Sequence, residues 1–483
     1  MTSMAPKKNW VLLHALIVLF FMFAFSHIVP PIGSITPFGM QILGIFIGLL
    51  YGWTTSNLIW PTLLGMIAVV NTGAYTMKAF FAISFGNDTV VFLLFIFVFT
   101  GMVDAVGLIN FIANWFISRK CVNGRPWVFS ALVLYGAFFA GGFVNMFAAL
   151  VVFWGIIYIV AQKFGFKPYD KYPTLMIFGI GLASFIGGAV LPYKLLPLGM
   201  IGAYSTMTGQ GINFMQYVAY SLPIALLLMA LYILICRFVF RPELKNLSQI
   251  SIDFVDPLDL KLSKTQKAVF AFLIGFIILM LVPGLLPKAW GVTQFINRIG
   301  IGGCVMGIIV LAYWVTIDGQ PLMDFKKMAN LGMSWEMFII FAMVLPFAAI
   351  FSSESTGISA FIIETLSPML IGKPTAIFIV LIIVLPTIIT NFANNLVVGI
   401  AFLPILLSIG TGMGLNIDAM FVTLTFAVNL AFVTPAASPG AAILFANTDW
   451  LRPKDIYKYA SIYIIVAVIF LLTLGLLWAS LIF

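Results

Sequence analysis

The stretch GGAVLPYKLLPLG, residues 187–199, places glycines, prolines and one lysine inside a long apolar region. A second stretch, TPAASPGA at residues 434–441, is interrupted by proline and glycine in the same way. Such interruptions expose backbone N–H and C=O groups, which a bilayer tolerates only where they line a polar cavity. Broken helices at corresponding places in two halves of a chain are typical of transporter substrate sites. These two stretches therefore indicate the fold class.

The composition is that of an integral membrane protein. Of the 483 residues, 63% are hydrophobic and 8% are charged, whereas a soluble domain carries about 25% charged residues. Apolar segments long enough to cross a bilayer recur from end to end. The net charge of +9 arises from basic residues in the loops between these segments. This pattern indicates positive-inside topology and contact with anionic lipid, and it is not a nucleic-acid signature.

The chain divides into four parts. We predict an N-terminal signal-anchor helix, a first repeat, a polar cytoplasmic connector and a second repeat: residues 1–36, 37–240, 241–267 and 268–483. Lys7 and Lys8 precede the first apolar segment, so the N-terminus is expected in the cytoplasm and the protein in the cell (inner) membrane.

The two halves share residues at a fixed spacing. An acid, a glycine and an asparagine recur 250 positions later: Asp104 with Glu354, Gly107 with Gly357, and Asn145 with Asn395. We interpret this as an internal repeat with inverted topology. Each acid lies at the end of a predicted span, so a helix cap or an inter-domain salt bridge is expected, with proton coupling as the alternative.

Two further apolar runs, residues 127–149 and 374–395, end in Gly- and Asn-rich motifs, AGGFVNMFAA and TIITNFANNLVVG. We predict that each run forms a re-entrant hairpin beside a broken helix. The predicted fold is therefore an all-α polytopic membrane protein with two inverted repeats. For the asparagines in these motifs, ordinary hydrogen bonding between helices is the alternative to a substrate or ion site.

These motifs resemble those of the divalent anion/sodium symporter family of dicarboxylate and citrate carriers, within the ion transporter superfamily. The resemblance extends over nearly the whole chain, including GQPLMDFKKMANLGMSWEMFIIF. The family's diagnostic elements are two Ser-Asn-Thr motifs at hairpin tips and two Thr-Pro-Pro-type loops, which are degenerate here. The resemblance implies a homodimer in which a transport domain moves against a scaffold domain as an elevator.

The second half keeps most of the family pattern in TNFANNL and AASPGAA. The resemblance implies a Na⁺ site formed by a threonine, two alanine carbonyls and an asparagine: Thr390, Ala393, Ala437 and Asn395. Oxygen ligands of this kind suit a hard cation. The resemblance also implies substrate contacts at the second tip and loop: Asn394, Asn395, Leu396, Ser438 and Pro439. For the last two residues, a simple helix kink is the alternative.

The first half departs from the pattern. Val144, Asn145 and Met146 stand where the family has Ser-Asn-Thr, and Lys194 stands at a sodium-ligating position. Hydroxyl ligands are lost where a positive charge is gained. We hypothesise that Lys194 stands in for one Na⁺ and that these four residues bind substrate. Because a charge at the bilayer centre costs about 2.5–3.5 kcal/mol, we expect a partner, namely the Asn145 carbonyl, another hairpin carbonyl or the substrate. The alternative is an ammonium that reaches out to the membrane interface.

The sequence predicts a secondary active transporter of small organic anions, specifically carboxylates, coupled to Na⁺. Half-helix N-termini at the hairpin tips are expected to present free N–H groups to the carboxylate. Met146 and Leu396 replace the family's threonines, which favours a substrate with one carboxylate and an apolar part over a C4-dicarboxylate.

Other functions remain open at this point. A sodium-independent anion exchanger and a proton-coupled carrier belong to the same class, and an anion channel belongs to a different one. The sequence contains no nucleophile–base pair, phosphate loop or metal-ligand cluster, so neither an enzyme nor an organic cofactor is predicted.

Overall fold

The computed structural model describes residues 8–247, 261–287, 289–370 and 374–483. In these ranges the chain is almost entirely α-helical, and ten helices are long and apolar enough to cross a membrane. The chain is therefore a multi-pass membrane protein, as predicted. Lys7 and residues 248–260 of the predicted connector lie outside the described residues.

The first half of the chain contains twelve α-helices. They are α1 (Lys8–Leu19), α2 (Phe25–Ile28), α3 (Pro37–Thr55), α4 (Ile59–Asn71), α5 (Met77–Phe85), α6 (Asp88–Ala105), α7 (Leu108–Ile117), α8 (Pro126–Phe143), α9 (Met146–Lys163), α10 (Lys171–Gly187), α11 (Leu195–Thr208) and α12 (Phe214–Ile235). A π-helical turn, Phe20–Ala24, joins α1 to α2, so the predicted anchor is one continuous apolar helix.

The second half begins at α13, whose first residue, Lys264, lies four residues before the predicted start of the second repeat at residue 268. Its α-helices are α13 (Lys264–Leu285), α14 (Gly291–Tyr313), α15 (Phe325–Gly332), α16 (Trp335–Ser352), α17 (Ile358–Leu370), α18 (Thr375–Thr390), α19 (Asn395–Ile405), α20 (Ile417–Asn429), α21 (Pro439–Ala446), α22 (Pro453–Phe470) and α23 (Leu476–Ile482). Two short antiparallel strands, β1 (Thr316–Ile317) and β2 (Gln320–Pro321), form a hairpin between α14 and α15.

Each half contains a helical hairpin followed by a broken helix. The hairpin α8–α9 turns at residues 144–145, and the hairpin α18–α19 turns at residues 391–394. The helix pair α10–α11 is unwound at residues 188–194, and the pair α20–α21 is unwound at residues 430–438. Because α10 and α20 are buried along almost their whole length, both unwound segments lie inside the protein, as the membrane requires.

The predicted spacing of 250 residues holds at the glycines. Gly107 and Gly357 both have left-handed backbones, with φ of 64° and 67°. Each donates its N–H to the carbonyl three residues earlier, on Asp104 at 3.2 Å and on Glu354 at 3.1 Å. The two turns are therefore equivalent in structure, and glycine is needed there because other residues rarely adopt this conformation.

The glycine pairs of the first hairpin and the first broken helix hold two helices in contact. A Cβ atom on Gly187 would lie 2.1 Å from the Phe138 carbonyl oxygen, and one on Gly141 would lie 2.5 Å from the Ser184 carbonyl oxygen. Helices α8 and α10 therefore touch through their backbones, as small residues permit in membrane bundles. Gly141 and Gly187 are helical and do not themselves break the chain, contrary to the simplest interpretation of the motifs. Their contact brings the first hairpin tip beside the first unwound segment.

Candidate functional site: a cavity between two hairpin tips and two broken helices

A cavity of about 480 Å³ lies where both hairpin tips meet both unwound segments. Seven of the nine residues predicted to bind substrate line it: Val144, Asn145, Met146, Lys194, Asn394, Ser438 and Pro439. The fold therefore brings together positions that are nearly 300 residues apart in the sequence.

Asn395 and Leu396 lie outside this cavity. Both line a smaller neighbouring cavity of about 50 Å³, to which Met146, Asn394 and Pro439 also contribute. The Leu396 side chain packs against α11 at Gly199, where an added Cβ would lie 2.5 Å from it. Leu396 thus fills space behind the tip.

Asn145 organises the first tip. Its Oδ1 atom accepts from the N–H groups of Phe147 at 2.9 Å and Ala148 at 3.2 Å, which caps α9. Its Nδ2 atom donates to Asp104 Oδ2 at 2.7 Å. Every polar atom of this side chain is therefore engaged within the protein, and the amide has a defined orientation.

Asn394 plays the same capping role at the second tip. Its Oδ1 atom accepts from the N–H groups of Leu396 at 3.1 Å and Val397 at 3.4 Å. In its capping role Asn145 corresponds to Asn394, which is one residue before the predicted match, Asn395. The expectation of free N–H groups at the tips needs a correction too, since these two side chains already satisfy donors of α9 and α19.

Lys194 has a partner at the first tip. Its Nζ atom donates to the carbonyl oxygen of Val144 at 2.8 Å, and the side chain is half-buried on the wall of the cavity. Of the partners expected from the sequence, the hairpin carbonyl is therefore the one observed. The alternative, in which the ammonium extends to the membrane interface, does not fit this contact.

Asp104 lies directly behind the first tip. One carboxylate oxygen accepts from Asn145, and the other, Oδ1, is buried without a hydrogen-bond partner among the described residues. Lys194 interacts with it electrostatically but does not form an ion pair with it. The expected helix cap or salt bridge is therefore wrong for Asp104. Glu354 is exposed, and the turn that contains it is capped by Ser353.

Asn391 stabilises the second unwound segment, a role that the sequence reasoning missed. It is buried, and its side chain makes four hydrogen bonds, to the carbonyls of Thr387 (2.7 Å) and Leu430 (2.9 Å) and from the N–H groups of Phe432 and Val433 (both 2.9 Å). The signal was present in TNFANNL, where a third asparagine stands beside Thr390. Its amide supplies partners that the unwound backbone would otherwise lack.

The residues predicted to bind Na⁺ lie around the second tip. Thr390 and Ala437 are fully buried, and Ala393 and Asn395 are half-buried. The Thr390 hydroxyl donates to the Val428 carbonyl at 3.1 Å, and the Asn395 N–H donates to the Ala437 carbonyl at 3.2 Å. Neutral hydroxyl, amide and carbonyl oxygens from a hairpin tip and an unwound helix fit a monovalent hard cation.

Ser438 caps the second half-helix. Its hydroxyl donates to the Ala431 carbonyl at 2.7 Å and accepts from the Ala441 N–H at 3.1 Å. With Pro439 at the first helical position, this sequence begins α21 at the cavity wall. The interruption is therefore a defined helix start and not merely a kink.

The remaining cavity wall is mostly aromatic and aliphatic. Its aromatic members are Trp53, Phe97, Phe99, Phe143, Phe147, Tyr193 and Phe276. Tyr193, next to Lys194, stacks edge-on against Phe276 of α13 with ring centroids 4.8 Å apart. Glu336, in the first turn of α16, also lines the cavity and is exposed. The sequence reasoning did not single out Tyr193 or Glu336.

Comparisons with known proteins agree with this architecture. Residues 194–483 match the family model described as the sodium:sulfate symporter transmembrane region. The sodium-dependent dicarboxylate transporter SdcS of Staphylococcus saprophyticus is 23% identical over 438 residues, which cover 85% of this chain and 80% of the relative. The human Na(+)/dicarboxylate cotransporter 3 is 26% identical over 267 residues, which cover 51% of this chain and 41% of the relative.

A solved structure shares the fold. The crystal structure of the YdaH transporter of Alcanivorax borkumensis aligns with a TM-score of 0.57 at 14% identity. The alignment covers 92% of this chain and 97% of that chain. The likeness concerns the backbone arrangement of nearly the whole molecule.

Proposed function

The chain belongs to the sodium:sulfate symporter family and is a transporter, not an enzyme, and from this premise we propose that it carries small organic anions with a carboxylate group across the membrane. The observation that carries the proposal is the Lys194 ammonium, held at a hairpin tip on the wall of a largely apolar cavity. Two relatives named as sodium-dependent dicarboxylate transporter and Na(+)/dicarboxylate cotransporter support the choice of carboxylates.

The anion binds through charge. In the structure the ammonium donates to a backbone carbonyl. A carboxylate is a better acceptor for it, since charge-assisted hydrogen bonds are about twice as strong as neutral ones. The aromatic wall removes the apolar part of the substrate from water, and Asn145 and Asn394 define the shape of the two tips.

Na⁺ is the proposed co-transported ion. We place it at Thr390, Ala393, Asn395 and Ala437, with Lys194 supplying the charge of the other sodium in the family. The hydrogen bond from Asn395 to Ala437 already joins the second tip to the unwound segment. An ion bound to oxygens of both would strengthen this connection, so occupancy and closure of the tip would be coupled.

The proposal also includes an elevator movement of the hairpins and broken helices against the remaining helices. It includes a homodimer, and insertion in the cell (inner) membrane with the N-terminus in the cytoplasm. The resemblance to the family supports the first two features, and the basic loops support the orientation.

Uptake into proteoliposomes tests the function. Labelled mono-, di- and tricarboxylates are supplied with an inward Na⁺ gradient, or with K⁺ at the same ionic strength, to vesicles containing wild type or Lys194→Gln. We expect accumulation above the external concentration in Na⁺ with wild type only. Uptake that needs an internal counter-anion would identify an exchanger, and uptake driven by a proton gradient alone would identify a proton-coupled carrier. A flux that does not saturate would identify a channel, and no flux of any carboxylate would refute the proposal.

A further inference from the structure

Two oppositely charged side chains contact adjacent residues of the first hairpin tip. Lys194 donates to the carbonyl of Val144 at 2.8 Å, and Asp104 accepts from the side chain of Asn145 at 2.7 Å. Because Val144 and Asn145 are consecutive, the tip fixes both charged groups near one another. They do not meet in an ion pair, so a substrate carboxylate can still approach the ammonium.

Lys194 is the charged group that acts on Asp104. The buried Asp104 oxygen has no hydrogen-bond partner in the described part of the chain, so its charge is not dispersed by further donors. The other charged side chains on helices packed against α6 are all exposed: Lys78, Lys264, Lys267, Arg298, Lys326, Lys327 and Glu336. Exposed charges are screened by salt, whereas the charges behind the tip are screened much less.

The net charge of the poorly solvated part of the site follows from Lys194 and Asp104, since the carboxylate of Glu336 is exposed and screened by solvent. Lys194 and Asp104 together are neutral, and the proposed Na⁺ leaves one positive charge. A monocarboxylate brings the loaded site to zero. A dicarboxylate leaves one negative charge uncompensated, which is costly in a poorly solvated site.

The cavity wall provides no second cation for another carboxylate. Among the described residues that line it, Lys194 is the one cation, and the other charged side chain is the carboxylate of Glu336. We propose that Asp104 is a specificity-determining residue that restricts the site to substrates with a single negative charge. The inference rests on the proposed function and names the substrate class within it: monocarboxylates with an apolar body.

The test compares two ligands of equal chain length, hexanoate and adipate, which differ by one carboxylate. Dissociation constants are measured in the presence of Na⁺ on purified wild type and Asp104→Asn. The asparagine keeps an oxygen acceptor for Asn145 but removes the charge. Asp104→Ser is a second neutral variant in case the first folds poorly. Asp88→Asn is the matched control, because it removes an exposed carboxylate at the opposite end of the same helix.

We expect wild type and Asp88→Asn to prefer hexanoate. The neutral variants at position 104 should shift the affinity ratio toward adipate, on the order of tenfold, the scale expected when one full charge is removed from a partly desolvated site. A wild type that prefers adipate, or an unchanged ratio in both neutral variants, would overturn the inference while leaving carboxylate binding intact. If no carboxylate of either kind binds to wild type, the proposed function fails as well.

Discussion

Replacing Lys194 by glutamine should destabilise the ligand-free protein through Asp104. Glutamine removes the charge and keeps an N–H donor for the Val144 carbonyl, on a side chain one atom shorter than that of lysine. The Asp104 carboxylate then lies behind the tip with its Asn145 hydrogen bond and no compensating charge. The substitution therefore isolates the electrostatic part of the interaction.

The magnitude follows from the geometry. An ion pair at 4 Å is worth about 4 kcal/mol in an effective dielectric of about 20, and these two groups are farther apart than an ion pair, so we take their attraction as about 2–3 kcal/mol. Removing the ammonium also removes its own desolvation cost, so we expect a net loss of about 1–2 kcal/mol. Asp104→Asn should produce a loss of similar size, because it leaves the ammonium without its counter-charge. In the double variant neither uncompensated charge remains, so the loss should be smaller than the sum of the two single losses.

The assay is thermal unfolding of the four proteins in detergent without Na⁺ or carboxylate, followed by tryptophan fluorescence at one fixed scan rate. Unfolding of a membrane protein of this size is often irreversible, so the comparison uses the order of midpoints under identical conditions. A double-mutant cycle extracts the coupling. Strictly additive midpoint shifts would show that Lys194 and Asp104 do not interact, and the charge count of the site would then be wrong.

Three further substitutions test other parts of the molecule. Thr390→Val should weaken Na⁺ binding at least tenfold in a Na⁺ titration, because a ligand oxygen is lost. The carboxylate affinity at saturating Na⁺ should be nearly unchanged. A Na⁺ affinity equal to that of wild type would exclude Thr390 from the ion site. Gly187→Ala should lower the unfolding midpoint, because its Cβ would lie 2.1 Å from the Phe138 carbonyl, whereas Gly155→Ala, with no atom within 4 Å, should not. A Gly187→Ala midpoint as high as that of the Gly155 control would contradict the close packing of α8 on α10. Asn391→Ala removes four buried hydrogen bonds, each worth about 1 kcal/mol, and should make the second unwound segment sensitive to proteolysis. Unchanged protease resistance would show that other contacts hold that segment.

The sequence predicted a multi-pass helical membrane protein because hydrocarbon imposes a length on each span. A span needs about 20 apolar residues, and this signal survives without any knowledge of packing. The short helices α7, α15 and α17 were not predicted, since none has the length of a span. Their positions depend on contacts with neighbours, such as that of α15 with α6 at Gly332, where a Cβ would lie 2.0 Å from the Phe97 carbonyl.

Part of the candidate site was also accessible from sequence. Lys194 stood out because a cation in an apolar, broken stretch needs a partner. Asp104 was also singled out, but its place beside Lys194 was not predicted, because the contact of Asp104 with Asn145 spans 41 residues and depends on how α6 passes behind the hairpin. The equivalence of Asn145 with Asn394 was missed by one position, since two adjacent asparagines look alike until the capped N–H groups are known.

The central claim is that Lys194 supplies the charge that holds the anion. The most direct measurement is the thermal stabilisation of purified wild type and Lys194→Ala by a panel of mono-, di- and tricarboxylates, with and without Na⁺. A ligand at 100 times its dissociation constant stabilises the folded state by about 2.7 kcal/mol, so binding is readily seen. We predict that at least one carboxylate stabilises wild type, and that this effect disappears in Lys194→Ala even where stabilisation by Na⁺ alone remains. Full carboxylate stabilisation of Lys194→Ala would contradict the account, because the anion would then be held without this lysine.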